Sequence, residues 1–268
     1  MAQEIPMALT STTYHTGLKI DDLQGATYAV IPGDPERAGI LAKTLDANAK
    51  QLNSRREYHS YLADLQGQKV LVCSTGIGGP AASIAMEELA ELGIKNFLRV
   101  GTTGAIQADI NVGDVIITNA SVRLDGTSDD YAPLAYPAVA SFSFTRAVAQ
   151  ACTNAEMPYH AGITASSASF YTGQERYDSF TGFVPRSLRG SLEEWQQLNV
   201  LNYEMESATV LTIANTFRLR AACFCVAVVN RAKNHAEDIH FKPFTKINGP
   251  YSKLAKLALL HDMGLVND

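Results

Sequence analysis

The sequence predicts a single-domain α/β fold, with a central mixed, mostly parallel sheet flanked by helices. Three observations lead there. Short β-branched runs alternate with segments of helical period along the whole chain, as parallel strands alternate with crossover helices. Several of those runs are apolar throughout, as strands covered on both faces are. The 268 residues, 46% hydrophobic and 18% charged, show no repeat, low-complexity tract or linker, so one core is expected to hold residues 1–268.

Taken in order, residues 1–17 form a polar N-terminal arm without the basic start or apolar centre of a secretory leader. Residues 27–31 read as a strand and 35–45 as a helix, with Asp34 suited to cap it and Pro35 to its first turn. Residues 69–74 form a strand and 80–92 a helix on which Ile84, Glu87, Glu88 and Glu91 separate an apolar from an acidic face. Strands follow at 96–100 and 115–118, a helix at 144–155, a strand at 160–165, a helix at 205–217, a buried strand at 222–229 and a last helix at 251–260. Residues 114–121 run on into 122–124 as extended chain, which makes the sheet mixed. Segments 125–137 and 172–190 have no period and read as surface excursions.

Composition excludes several roles. A net charge of −5 argues against a general nucleic-acid binder. The longest apolar stretch, 221–229, is too short to span a bilayer, so a cytoplasmic protein is expected. Cys73, Cys152, Cys223 and Cys225 are too few and too irregular for a disulfide framework; those in the apolar runs 70–74 and 221–229 read as small buried hydrophobes. Cys223-Phe-Cys225 is not a metal-binding spacing.

In open α/β sheets ligands bind at the carboxyl ends of strands, and four strand ends here carry glycine, arginine, hydroxyls or carboxylates. After the first strand, Gly33 permits an anion to approach the backbone at a helix start, and Arg37 lies one turn in. The same segment also reads as a capped helix with a surface arginine. Arg99 lies within a buried run and needs an anion, with Thr102 and Thr103 between glycines just beyond it. That anion is either a bound phosphate or an internal carboxylate. Glu206, with Glu204 and Met205, reads as an acceptor for two vicinal sugar hydroxyls, or as favourable charge at a helix start. Phe170 offers a stacking face, and Gln174 and Arg176 match a pyrimidine-dione edge, although an ordinary polar loop has the same composition. Arg231 ends the most apolar strand, where a snorkelling arginine is the plainer reading. Arg55, Arg56 and Glu57 form a remote charged segment, and His15 sits in an arm with no core to join.

Gly33-Asp-Pro-Glu-Arg37, Ser74-Thr-Gly-Ile-Gly-Gly-Pro80, Arg99-Val-Gly-Thr-Thr-Gly104, Gly173-Gln-Glu-Arg176 and Asn202-Tyr-Glu-Met-Glu-Ser207 together resemble the nucleoside phosphorylase-I superfamily, and within it the uridine-cleaving branch. The likeness runs from about His15 to Arg231, and Gln174 with Arg176 selects pyrimidines. The resemblance implies phosphorolysis of uridine and related pyrimidine nucleosides in pyrimidine salvage, with inorganic phosphate as co-substrate and no required cofactor. It implies a phosphate site of Gly33, Arg37, Arg99 and Thr102, completed by Arg56 of a neighbouring subunit. Thr103, Glu204, Met205 and Glu206 are implied ribose contacts, joined by His15 of the neighbour. Phe170, Gln174, Arg176 and Arg231 are implied at the base, the last three as the catalytic set. A dimer is the implied smallest active unit, and a homohexamer the implied assembly. Relatives use a serine where this chain has Ala81, to help Glu57 hold a monovalent cation such as potassium; alanine lacks that ligand. Residues 232–250 fall where a lid over the base site is expected.

Other classes fit less well. Gly76-Ile-Gly-Gly-Pro-Ala81 satisfies a dinucleotide-binding pattern, yet the next strand ends without an acidic residue for the adenosine ribose. A purine phosphorylase or nucleosidase favours an acidic group where this chain has Asn230-Arg231, and a nucleoside-binding protein without activity is a third alternative.

Overall fold

The computed structural model describes residues 12–233 and 244–266, the side chains of 244–248 excepted. The elements are β1 (Tyr28–Pro32), α1 (Pro35–Leu45), β2 (Lys50–Arg55), β3 (Tyr58–Leu65), β4 (Gln68–Cys73), α2 (Gly79–Glu91), β5 (Asn96–Ala105), β6 (Val115–Leu124), β7 (Ala138–Val139), α3 (Phe142–Asn154), β8 (Tyr159–Ser167), α4 (Ser191–Gln197), β9 (Val200–Glu204), α5 (Ser207–Thr216), β10 (Arg220–Asn230) and α6 (Phe244–Asp262).

All the strands join one sheet in the order β10-β6-β8-β9-β5-β1-β4-β3-β2, with β7 on β6. Parallel ladders link β1 to β4 and β5, β5 to β10, β6 to β8 and β8 to β9. Antiparallel ladders link β2–β3, β3–β4, β5–β9, β6–β7 and β6–β10, so the antiparallel share exceeds the expected one. Because β10 pairs with both β5 and β6, strands β5, β9, β8, β6 and β10 close on themselves at one end of the sheet. Helices α1, α3 and α6 cover one face, around Leu41, Val72, Leu98, Phe144, Phe224 and Leu259. Helices α2 and α5 cover the other, around Ile31, Leu71, Met86, Phe97 and Leu211. Burial on both faces explains why β1, β4, β5 and β10 read as continuous apolar runs.

Most expected elements fall within a few residues of those observed. Helix α1 starts as its sequence dictates, with Asp34 accepting the Glu36 amide at 2.9 Å and Pro35 in the first turn. The hairpin β2–β3 was not anticipated, because β2 is a polar edge strand with no apolar face to read. Strand β5 continues past Val100 through the glycines and threonines to Ala105, since β9 and β10 pair with it there. Helix α5 begins at Ser207 instead of Met205, leaving Met205 and Glu206 in the connection. Segment 125–137 is less of a surface excursion than its composition indicates. The Arg123 guanidinium donates to the carbonyls of Ser128, Ala132, Pro133 and Tyr136. The last part of 232–250 forms the first turns of α6, while residues 234–243 of that expected lid lie outside the described residues. All four cysteines are free and buried, and burial pushes the Cys73 and Cys152 thiols up to about 12, which keeps them unreactive.

Candidate active site

A cavity of about 550 Å³ opens at the carboxyl ends of β1, β5 and β9 and beneath the loop after β8. Gly33, Arg37, Arg99, Thr102, Thr103, Phe170, Gln174, Arg176, Glu204, Met205 and Glu206 line it. The strand order β8-β9-β5-β1 arranges them in a row. Phe170, Gln174 and Arg176 follow β8, Glu204 to Glu206 end β9, Arg99 to Thr103 lie on β5, and Gly33 and Arg37 follow β1.

At the β1 end, the Gly76 amide donates to the Gly33 carbonyl at 2.9 Å. A Cβ on Gly33 would meet the Gly76 oxygen at 3.0 Å, so the close passage of the two loops requires glycine. Arg37 is 8% exposed. Burial lowers its pKa, and the positive charge of Arg99 lowers it further against the pull of Asp34.

Arg99 is anchored from one side. Its Nε donates to Glu204 at 3.0 Å and its Nη2 to Glu206. The internal-carboxylate reading of Arg99 therefore holds, while the residue still lines the cavity. Glu204 is saturated. Its oxygens accept from Arg99, from the Ser207 amide at 2.9 Å, from the Ser207 hydroxyl at 2.6 Å and from the Glu206 amide at 3.0 Å. This carboxylate braces Arg99 and the chain at Glu206 and has little capacity for a sugar hydroxyl. Burial pushes its pKa up, but Arg99 and the Ser207 and Glu206 donors bring it below the ordinary value. For Glu206 the balance is reversed: burial and the Glu204 charge outweigh Arg99 and hold it above. Glu206 also accepts the Gly78 amide at 2.5 Å, and Gly78 has φ +91°. The amide at the start of α2 that a dinucleotide pyrophosphate would use is thus taken by a carboxylate of the protein.

Gln174 and Arg176 are 2% and 3% exposed, so this stretch of 172–190 is interior and not a surface excursion. The Arg176 guanidinium carbon lies 4.3 Å from the Phe170 ring centroid, and its Nε donates to the Gln174 amide oxygen at 3.4 Å. The Gln174 amide nitrogen donates to Ser167 at 3.1 Å. Glu175, between them at φ +50° and also buried, does not line the cavity and accepts the amides of Gly190 at 2.6 Å and Leu192 at 2.7 Å, tying the loop to the start of α4. Arg231 does not line the cavity. It donates to the backbone carbonyls of Gln174 and Glu175 at 2.7 and 3.2 Å, bracing the loop from behind. Sequence reasoning missed Glu175 and Ser167; the run of charge in Gln174-Glu-Arg176 was a signal that one member must point away.

His15 and Arg56 lie outside this cavity. The arm does have a core to join: Thr13, Thr16 and Leu18 are buried, and Glu88 on α2 accepts from His15 N and Nδ1, both at 2.8 Å, and from Thr16 N at 2.7 Å. Arg56, at φ +55°, forms the turn between β2 and β3. Asn53 on β2 donates to the Thr16 and Gly17 carbonyls, at 2.9 and 3.1 Å, which puts the arm and that hairpin on one surface. Burial raises the Glu88 carboxyl, but the Thr16 and His15 donors hold it below the ordinary 4.5. A depressed folded pKa contributes stability above the unfolded value that is lost as pH falls through the folded one. Hydrogen-exchange protection of the His15 and Thr16 amides is therefore expected to decline as pH drops below 4.5 and to be lost at neutral pH in Glu88→Gln. Protection unchanged by pH and by the substitution would contradict this docking.

Glu57 and Ala81 flank Gly76, whose added Cβ would lie 2.9 and 3.6 Å from their nearest atoms. The alanine side chain supplies no oxygen, and the Ala81 carbonyl already accepts the Tyr58 hydroxyl at 3.0 Å. These residues do not fit a monovalent-cation cage, and no step below uses one.

The sequence matches the Phosphorylase superfamily over residues 27–257. It is 55% identical to a uridine phosphorylase of Escherichia coli over 223 residues, covering 83% of this chain and 88% of the relative. It is 43% identical to a uridine phosphorylase of Thermococcus kodakarensis, covering 87% and 83%. A guanosine phosphorylase of Halorubrum lacusprofundi is 36% identical, covering 74% and 76%. Matches of that extent leave one conclusion: the chain belongs to the phosphorylase superfamily.

Proposed function

We propose that this protein cleaves uridine, and related pyrimidine nucleosides, with inorganic phosphate, giving the free base and ribose 1-phosphate in pyrimidine salvage. One observation carries the reading: strand order places an arginine pair, a carboxylate and an amide–guanidinium pair in sequence along one cavity. Phosphate lies between Arg37 and Arg99, over Gly33 and Thr102, and accepts from their guanidinium donors. Glu206 accepts sugar hydroxyls, with Met205 against the ring. Phe170 stacks the base, while Gln174 and Arg176 hold its carbonyl edge. The ribose–base bond lengthens to an oxocarbenium-like sugar and an electron-rich base; phosphate on the opposite face shields the cation and captures C1′ with inversion, and the proton it gives up on forming the ester is balanced by the one the departed base anion takes up from solvent. Gln174 and Arg176 stabilise the charge growing on the base, as an oxyanion hole does. Arg231 acts through the loop it braces. The reaction is carried by phosphate and fixed protein dipoles and requires no cofactor.

His15 and Arg56, displayed together on the surface that Asn53 ties, complete the ribose and phosphate sites of a partner subunit. A dimer is then the smallest active unit, within a homohexamer. Among the described residues no helix is long and apolar enough to cross a membrane, in keeping with a cytoplasmic enzyme. The test is base release from uridine, thymidine, inosine and methylthioadenosine, each with and without phosphate. Uracil release that depends on phosphate is expected. Preferential cleavage of a purine nucleoside, or equal rates without phosphate, would contradict the proposal.

A further inference from the structure

Thr103 is reached by a row of buried polar side chains that crosses four neighbouring strands. Thr118 on β6, Thr164 on β8 and Asn202 on β9 are each 0% exposed, and Thr103 on β5 is 4% exposed. These strands are consecutive in the sheet. The links are Thr118 Oγ1 to Thr164 Oγ1 at 2.8 Å, Thr164 Oγ1 to Asn202 Oδ1 at 2.9 Å, Asn202 Nδ2 to Thr103 Oγ1 at 2.7 Å, and Thr103 Oγ1 to the Tyr203 carbonyl at 2.5 Å.

The direction of every bond follows from proton counting. A backbone carbonyl only accepts, so the single Thr103 hydroxyl proton goes to Tyr203. Thr103 must then accept from its other neighbour, which requires the NH₂ end of the Asn202 amide. That turns the Asn202 oxygen towards β8, where it takes the proton of Thr164, and Thr164 in turn accepts from Thr118. With its proton committed, Thr103, a residue lining the cavity, keeps an accepting lone pair and no donor.

We propose that Asn202, held by Thr164, is a positioning residue that fixes in place a Thr103 oxygen whose proton the Tyr203 carbonyl takes, so that Thr103 reads a donating 2′- or 3′-hydroxyl of the sugar. The proposal rests on the nucleoside-cleaving function given above. Neither Asn202 nor Thr164 lines the cavity; both act through Thr103. Loss of the Thr164 hydroxyl leaves the Asn202 oxygen without its donor, so the amide is no longer held in place and its bond to Thr103 loosens, which frees the Thr103 oxygen to shift from the position at which it accepts from the sugar.

The test is Thr164→Val, a change of one hydroxyl to a methyl outside the site, assayed on uridine, 2′-deoxyuridine and 3′-deoxyuridine with phosphate. Values of kcat/KM are compared, or inhibition constants where turnover is too slow. The uridine value is expected to fall about 3–10-fold, the range for one protein hydrogen bond. The loss should shrink to under about 2-fold on whichever analogue lacks the hydroxyl that Thr103 reads. Thr164→Ser, which keeps the hydroxyl, should restore the uridine value. A general packing defect would instead lower all three nucleosides together with the melting temperature. Unchanged uridine kinetics in Thr164→Val, or an equal loss on all three nucleosides, would overturn the proposal. If valine is not tolerated at this position, Thr164→Ala deletes the same hydroxyl and is read by the same comparison. Wild-type protein that releases no uracil from uridine would instead remove the underlying functional reading.

Discussion

Replacing Arg176 with alanine is expected to lower turnover of uridine by about 10²–10³, the usual cost of one donor aimed at developing negative charge. The size follows from where the group sits. At 3% exposure, stacked 4.3 Å from the Phe170 ring centroid, the guanidinium is shielded from water, so its charge acts at full strength on the departing base. Its geometry is set before substrate arrives, by Phe170 on one side and the Gln174 oxygen on the other. The effect should fall mainly on kcat, because negative charge on the base is present in the transition state and not in bound uridine. Arg176→Lys should recover only part of the loss, since an ammonium keeps the charge but not the planar contact with the ring. An alanine variant that turns over uridine at the wild-type rate would remove Arg176 from the base site.

The largest effect on stability is expected at Arg99. Arg99→Met leaves Glu204 and Glu206, whose side chains are 1% and 6% exposed, without their shared cation. Breaking a buried charge set in this way costs about 3–5 kcal/mol. The loss carries a pH signature. Without Arg99, burial and mutual repulsion raise the titration of the carboxylate pair in the folded state, chiefly that of Glu206, which is already held above its ordinary value, so the native form binds more protons than the unfolded one. Stability of the variant then falls as pH rises above the ordinary carboxylate value of 4.5 and recovers as pH is lowered towards it. Denaturation midpoints measured across that interval should diverge most from wild type at neutral pH. Adding Glu204→Gln and Glu206→Gln should return much of the stability at neutral pH without returning activity, because neutral replacements lift the unpaired-charge penalty but do not restore the guanidinium that the proposed phosphate site needs. A midpoint for Arg99→Met that matches wild type at every pH would show that the carboxylates do not depend on it.

Much of this architecture is legible in the sequence, and the exceptions have physical causes. Strands covered on both faces, such as β10, declare themselves by unbroken apolar runs, and α1 declares its start by Asp34 and Pro35. The edge strand β2 does not, because Lys50–Arg55 has no buried face to enforce alternation. The residues lining the cavity were legible from their positions at strand ends. Their division of labour was not. Glu204 and Glu206 are equivalent as letters and both line the cavity, and only the backbone turn at Ser207 decides that Glu204 is consumed by four donor groups while Glu206 takes Arg99 and the Gly78 amide. Nor does the sequence show that Arg231 donates to two backbone carbonyls of the loop after β8. Glu175 and Asn202 were invisible as functional residues because their partners lie on elements distant in the chain.

The central claim is that an oxyanion held by Arg37 and Arg99 ends up bonded to the sugar. Phosphorus NMR of a reaction containing uridine, phosphate and enzyme tests it directly. A new sugar-phosphate ester resonance of α configuration, growing in step with free uracil and in equal amount, is the predicted result. Uracil appearing with free ribose, while the inorganic phosphate signal stays constant, would contradict it.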